Sequence, residues 1–132
     1  MDQNSVDQAA LTTPSDDDID RSLVARFLAG NQSAFDEIVA AHKRRLAHLA
    51  YRLLGSSADV EDVVQEVFVA VLSNLHRFRG DSQFSTWLTR IAVNKCRSHQ
   101  RRHLLWRRSR ARLIKRQQEA NSRDVLLEPD SS

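Results

Sequence analysis

Helix-breaking residues are scarce in this 132-residue chain: of its two prolines and three glycines, no proline lies between Ser15 and Glu128. A proline inside a helix removes a hydrogen bond and clashes with the preceding turn, so nothing over that span forbids long helices. Alternating apolar and polar runs of the kind that make strands are missing too, which leaves an all-α domain. No stretch approaches the roughly eighteen consecutive apolar residues of a membrane span. The first twenty residues lack both a positive start and an apolar segment, so no secretory signal is expected, and neither is a membrane partner. The expected location is cytoplasmic. A single cysteine, Cys96, excludes an internal disulfide and agrees with a reducing compartment. Gly-rich phosphate loops, nucleophile motifs and paired carboxylates in apolar surroundings are also lacking, so neither enzymatic activity nor a cofactor is expected. Cys96, His99 and His103 fall at i, i+3 and i+7 and offer three zinc ligands on one helix face. No fourth Cys or His is near, and Cys96 and His99 belong to an apolar stripe, so no metal is expected.

Charge is abundant but unevenly placed. The net charge of +3 conceals six aspartates without Lys or Arg in residues 1–20, and eight Lys and Arg without an acid in residues 101–116. Such asymmetry points to a polyanion partner, nucleic acid foremost, against the plainer alternative of a solvated helix face beside an acidic tail. Residues 1–19 are expected to be a disordered acidic tail, 20–116 a helical domain with a basic C-terminal extension, and 117–132 a linker or tail.

The helical domain is organised around Asp59 to Leu75. Val60, Val63, Val64, Val67, Phe68, Val71, Leu72 and Leu75 recur at the i, i+3, i+4 spacing that lays one apolar stripe along a helix. Asp59, Glu61, Asp62, Gln65 and Glu66 collect on the opposite face, toward the end where the helix dipole favours negative charge. Valine is a mediocre helix former, so packing must hold this helix. Three partners are expected. A short first helix has Asp20 as its cap and Leu23, Val24, Phe27 and Leu28 as its stripe, stopping at Gly30. A second has Asn31 or Ser33 as cap, and Phe35, Ile38, Val39, His42, Leu46, Leu49, Ala50, Leu53 and Leu54 on one face, stopping at Gly55. The Gly55-Ser56-Ser57 link makes the second and central helices an antiparallel hairpin with a serine cap. His42 reads as a satisfied core or boundary histidine. A fourth helix, capped by Ser82 or Ser85, turns Phe84, Trp87, Leu88, Ile91, Ala92, Cys96 and His99 inward; the basic run from Arg107 extends it or forms another helix. The domain is thus a small bundle of about four helices.

Two further stretches carry candidate binding chemistry. The segment HRFRGDSQFS after Leu75 breaks the helical period and brings together Arg77, Phe78, Arg79, Asp81, Ser82, Gln83 and Phe84, a mixture of cations, aromatics and polar groups suited to an unstacked base and its phosphate. Phe84 opens the apolar stripe and reads as a core anchor; Phe78 fits either role. The outward face of the fourth helix carries Asn94, whose amide can pair with a base edge, among Arg90, Lys95, Arg97, Arg101 and Arg102, which can neutralise phosphates.

The succession DVEDVVQEVF, RFRGDSQFSTWLTRIAVN and a helix ending in arginines, over Ala34 to Arg102, resembles region 2 of bacterial sigma factors, most closely the ECF group. The resemblance implies a transcription initiation factor domain that binds core RNA polymerase and recognises and melts the promoter minus-ten element. It implies that Asp59, Asp62, Gln65 and Glu66 dock on the clamp helices of the largest polymerase subunit, with Glu61 a weaker candidate. Arg77, Phe78, Arg79, Asp81, Ser82 and Gln83 would form the base-capturing loop, and the fourth helix would read the nontemplate strand of the minus-ten element. An anti-sigma factor is a further implied partner. Trp87 matches the tryptophan of the family's TWL triplet and reads as packed core. Nothing after Arg102 resembles the region 4 helix-turn-helix of the group, so the chain is expected to be either the N-terminal piece of a longer factor, the favoured reading, or a lone region 2 protein. Two alternatives differ in class: an interaction module held by an anti-sigma factor or other regulator, and a nonspecific nucleic-acid binder using only residues 101–116.

Overall fold

A computed structural model describes residues 13–127, and side-chain burial from residue 13 to residue 124. Of the acidic tail expected over residues 1–19, residues 1–12 lie outside the described residues, as do residues 128–132, and residues 16–19 are helical. Among the described residues four α-helices follow one another: α1 (Asp16–Leu28), α2 (Ser33–Leu54), α3 (Ser57–Asn74) and α4 (Phe84–Leu127), with a 3-10 turn at Leu75–Arg77 after α3. Among the described residues there are no strands. The chain divides into two compact units, one ending at Cys96 and the other beginning at Arg97.

The first unit holds one apolar core. Leu23 and Val24 of α1, Ala34, Ile38, Leu46 and Ala50 of α2, the α3 stripe, Leu75, and Phe84, Leu88, Ala92 and Cys96 of α4 make a single buried cluster. Burial of each larger side chain contributes about 1.5–3 kcal/mol before the cost of ordering it. It also raises the Cys96 thiol pKa, because a thiolate there would lose its hydration. Six of the α3 stripe residues are buried from Val60 to Val71. Leu72 is not: it stands 46% exposed. Each i+4 step advances about 40° around a helix, so the series Val60, Val64, Phe68, Leu72 rotates off the core by its last member. Leu53 of α2 is likewise outside the core, at 40% exposure.

The helix ends differ from the sequence expectation in instructive ways. α1 starts four residues before Asp20, because Ser15 and Asp18 form a reciprocal capping box and Asp16, Asp17 and Asp18 complement the helix dipole. Asp20 is buried instead and meets His42 of α2 at 2.8 Å between Oδ1 and Nε2. His42 also stands edge-on to the Phe84 ring, with centroids 5.5 Å apart. α2 has no side-chain cap; Ser33 Oγ donates to Asn31 Oδ1 at 2.6 Å rather than serving the backbone. Gly55 ends α2 at φ +69°, its N–H donating to the Tyr51 carbonyl at 2.8 Å. Ser56 is extended at the start of α3, but its hydroxyl makes no capping bond.

The second unit is helical through Leu127, so α4 runs on through the basic stretch and through residues 117–127, the segment expected as a linker or tail. Its side chains from Gln100 to Asp124 are exposed. Among the described residues no helix is long and apolar enough to cross a membrane.

Candidate nucleic-acid and partner-binding faces

The acidic face of α3 follows from the helix repeat. Asp62 and Gln65 are exposed, while Asp59 and Glu66 are half-buried. Asp62, Gln65 and Glu66 fall at i, i+3 and i+4, so they are neighbours on one side of the helix opposite Val63 and Val67. Val69 and Leu72, 60% and 46% exposed, continue that side toward the end of α3. The surface offered is a short acidic patch with an apolar margin.

The loop after the 3-10 turn is built by longer reach. Phe78 is half-buried, its ring 5.4 Å from both the Phe84 and the Trp87 centroids. Phe84 is fully buried, and Phe84 and Trp87 pack together at 5.7 Å, so the two read as core hold the platform on which Phe78 rests. Arg77, Arg79, Asp81 and Gln83 are exposed and Ser82 is half-buried. Gly80 lies at φ +78°, a left-handed conformation that side chains with a Cβ resist.

Three residues that the sequence reading left in the acidic tail or on a packing helix turn out to border this loop. Arg21 Nη2 donates to the carbonyls of Gly80 and Ser82 at 3.1 and 3.0 Å, and its guanidinium stands 5.7 Å from the Phe78 ring centroid. Asp17 Oδ2 accepts from Arg21 Nε at 2.7 Å, and Asp17 Oδ1 accepts from the Phe84 N–H at 2.8 Å. The expected serine caps of α4 are therefore replaced by an aspartate from α1, and Ser82 Oγ donates to the Gln83 carbonyl instead. The Phe84 N–H, and after it the Arg21 side chain, hold the Asp17 carboxyl below the usual carboxylate range. Arg45 of α2 donates to Thr89 Oγ1 at 2.9 Å and to the Ser85 carbonyl at 3.4 Å, gripping the first turns of α4. The one local clue was Ser15-Asp16-Asp17-Asp18, a capping box just ahead of an apolar repeat, which marks α1 as starting there. No spacing rule links Asp17 or Arg21 to positions sixty residues away.

On α4, Arg90 and Asn94 are exposed one turn apart and Lys95 is half-buried. In the second unit Arg97, Arg101 and Arg102 are exposed. There His99 and His103 stack with ring planes 4° apart, His103 stacks on Trp106, and the Arg110 guanidinium lies 5.3 Å from the Trp106 centroid. Among the described residues no three His, Cys, Asp or Glu side chains gather where a metal ion could be held.

Comparison with known proteins gives these faces a context. The family model for Sigma-70 region 2 matches residues 38–108. The ECF RNA polymerase sigma-E factor of Escherichia coli (strain K12) is 45% identical over 80 residues, which cover 61% of this chain and 41% of that protein. The RNA polymerase sigma-H factor of Pseudomonas aeruginosa is 39% identical over 80 residues, covering 61% of this chain and 42% of that one. The chain thus matches less than half the length of either relative. Among solved structures, an engineered region 2 of sigmaE in complex with GTAAAA superposes with a TM-score of 0.58 at 40% identity, covering 65% of this chain and 90% of that one. CnrH in complex with the cytosolic domain of CnrY superposes with a TM-score of 0.57 at 44% identity, covering 61% of this chain and 53% of that one.

Proposed function

This chain belongs to the sigma-70 region 2 family, and from that premise we propose that it is the region 2 part of an ECF-type transcription initiation factor, binding core RNA polymerase and capturing the opened minus-ten element of a promoter. The observation that carries the reading is that residues 38–108 match the family as one block containing the α3 acidic face, the 77–84 loop and Asn94. In this reading Asp59, Asp62, Gln65 and Glu66 meet a basic surface on the clamp helices of the largest subunit. Charge complementarity there directs encounter and register more than it adds affinity.

The loop and α4 then do the work of opening. Unstacking a base costs a few kcal/mol, and the cost is offset when the base finds an aromatic or polar pocket. Phe78, resting on Phe84 and Trp87, offers an aromatic edge. Arg77 and Arg79 neutralise the adjoining phosphates, and Asp81, Ser82 and Gln83 supply hydrogen-bonding groups. Asn94 pairs with a base edge, while Arg90, Lys95, Arg97, Arg101 and Arg102 hold the backbone. The neighbour solved with GTAAAA supports a short nucleic-acid sequence as the ligand. Promoter opening requires no chemistry from this chain, only binding energy, and places it in the cytoplasm with its polymerase.

Selection of random single-stranded oligonucleotides on the 132-residue chain at two salt concentrations tests the reading. A short motif that persists as salt rises is the expected result. Binding without a motif, collapsing with salt, would show phosphate attraction alone and reject base reading.

A second reading has its own support. CnrH was solved in complex with the cytosolic domain of CnrY, so a structural relative is held by a protein partner. An anti-sigma factor that covers the α3 face would silence this chain by competing with polymerase. Mutual exclusion of the two partners in a pull-down tests it.

A further inference from the structure

We infer that Asp17 and Arg21 of α1 are positioning residues for base capture: a two-residue clamp that sets the shape of the 78–84 loop without touching DNA. The inference rests on the reading of that loop as the base-capturing site. Its ground is the convergence of separate contacts from one turn of α1. Arg21 binds two loop carbonyls, those of Gly80 and Ser82, and covers the Phe78 ring. Asp17 holds the Arg21 guanidinium with one carboxylate oxygen and caps α4 at Phe84 with the other. The loop is thus gripped at its aromatic residue, at its middle and at its exit into α4.

Beyond the aromatic packing of Phe78, few backbone bonds among the described residues define the loop. Gly80 contributes no side chain, and a Cβ added there would come within 2.6 Å of Arg21 Nη1, so a larger residue would push the guanidinium from the place it holds. The Phe78 N–H bonds the Leu75 carbonyl at 3.1 Å and the next backbone bonds begin with the Gln83 carbonyl, which accepts from Thr86 and Trp87. Between them, the Gly80 and Ser82 carbonyls are held by Arg21. A loop must present its pocket in one arrangement before the base arrives, because ordering it on binding subtracts from affinity. Fixing carbonyls with a guanidinium fork and the fork with a carboxylate achieves that order from outside the site. The depressed Asp17 pKa agrees, since the carboxylate is the form these donors stabilise.

The test separates positioning from stability and from direct phosphate contact. The preferred oligonucleotide selected by the full chain is compared with the same strand carrying an abasic site at each position in turn. The intact chain should favour the complete strand over one abasic variant by about tenfold or more, as expected from the loss of one stacked base. In Arg21→Ala that ratio should fall to within about twofold, with the thermal midpoint, the core polymerase pull-down and the salt dependence of oligonucleotide binding unchanged. Asp17→Ala should show the same fall in ratio together with a lower thermal midpoint, because the cap on α4 is lost with it, whereas Asp17→Asn, which keeps an acceptor for the Phe84 N–H, should retain more of the ratio. Arg21 is 41% exposed at its side chain, so its truncation leaves the core intact; Arg21→Gln, which keeps a donor, provides a milder variant. A wild-type chain indifferent to every abasic site rejects base capture, and the clamp with it. An abasic ratio that survives in Arg21→Ala rejects the clamp alone. Equal losses on intact and abasic strands, with a shallower salt slope, would make Arg21 a phosphate contact and also reject the clamp.

Discussion

On α3, Asp62 and Gln65 face outward because the helix repeat places them opposite Val63 and Val67; in the 78–84 loop, Phe78 and the Gly80 and Ser82 carbonyls are placed by side chains from α1 and α4. The first surface is as robust as its helix. The second depends on residues about sixty positions away in sequence, whose contacts form only when the bundle closes. One molecule thus pairs an acidic face set by local geometry with a loop set by tertiary contacts, and the two should fail in different ways.

The largest expected effect is on the α3 face. Reversing charge with Asp62→Lys and Glu66→Lys should abolish association with core polymerase while circular dichroism and oligonucleotide binding stay as in the wild type; undiminished pull-down would remove the docking role from this face. Next comes the buried platform of the loop. Phe84→Ala should cost about 3–5 kcal/mol in urea unfolding, because a large ring is removed from a closed core. A loss well under 1.5 kcal/mol, roughly that of a surface change, would mean that the loop's packing is looser than its geometry indicates.

Asn94→Ala should weaken binding to the preferred strand by about 1–3 kcal/mol and leave nonspecific affinity alone. Equal weakening on all sequences would place Asn94 among the backbone contacts. Gly80→Ala sharpens the contrast from the loop side. A left-handed φ and the close Arg21 guanidinium should together lower stability by about 1–2 kcal/mol and weaken oligonucleotide binding, with polymerase association unaffected. The smallest effect is in acid. Because its folded pKa is depressed, ionised Asp17 contributes stability fully present above the ordinary carboxylate pKa of about 4 and lost as pH falls through the lower folded value. Unfolding midpoints should therefore separate wild type from Asp17→Asn at neutral pH and draw together as pH falls; a gap that stays constant into acid would assign it to geometry rather than charge.

The periodic parts of the molecule were readable in advance. The valine stripe of α3, the positive-φ glycine stop at Gly55, the core place of Phe84 and the satisfied state of His42 all follow from spacing and residue type. Where spacing alone was pressed too far, at Leu72, the rotation of the i+4 series carried the side chain out to solvent. The caps were the least legible part. Ser56, Ser82 and Ser85 have the right chemistry at the right places, yet α4 takes its cap from Asp17, because the packing of α1 brings a charged acceptor to the Phe84 N–H.

Sequence by itself determined that this chain is helical, where its apolar faces run and which side of α3 carries its acidic residues, since each of these depends on residues within a few turns of one another. Only the tertiary structure decided that Asp17 and Arg21 of α1 reach the loop, that Asp20 answers His42 and that the Arg21 guanidinium lies against Gly80. A hydrogen bond between distant positions leaves no period in the sequence; it exists only once the buried cluster has fixed the distance between the elements that carry its donor and its acceptor.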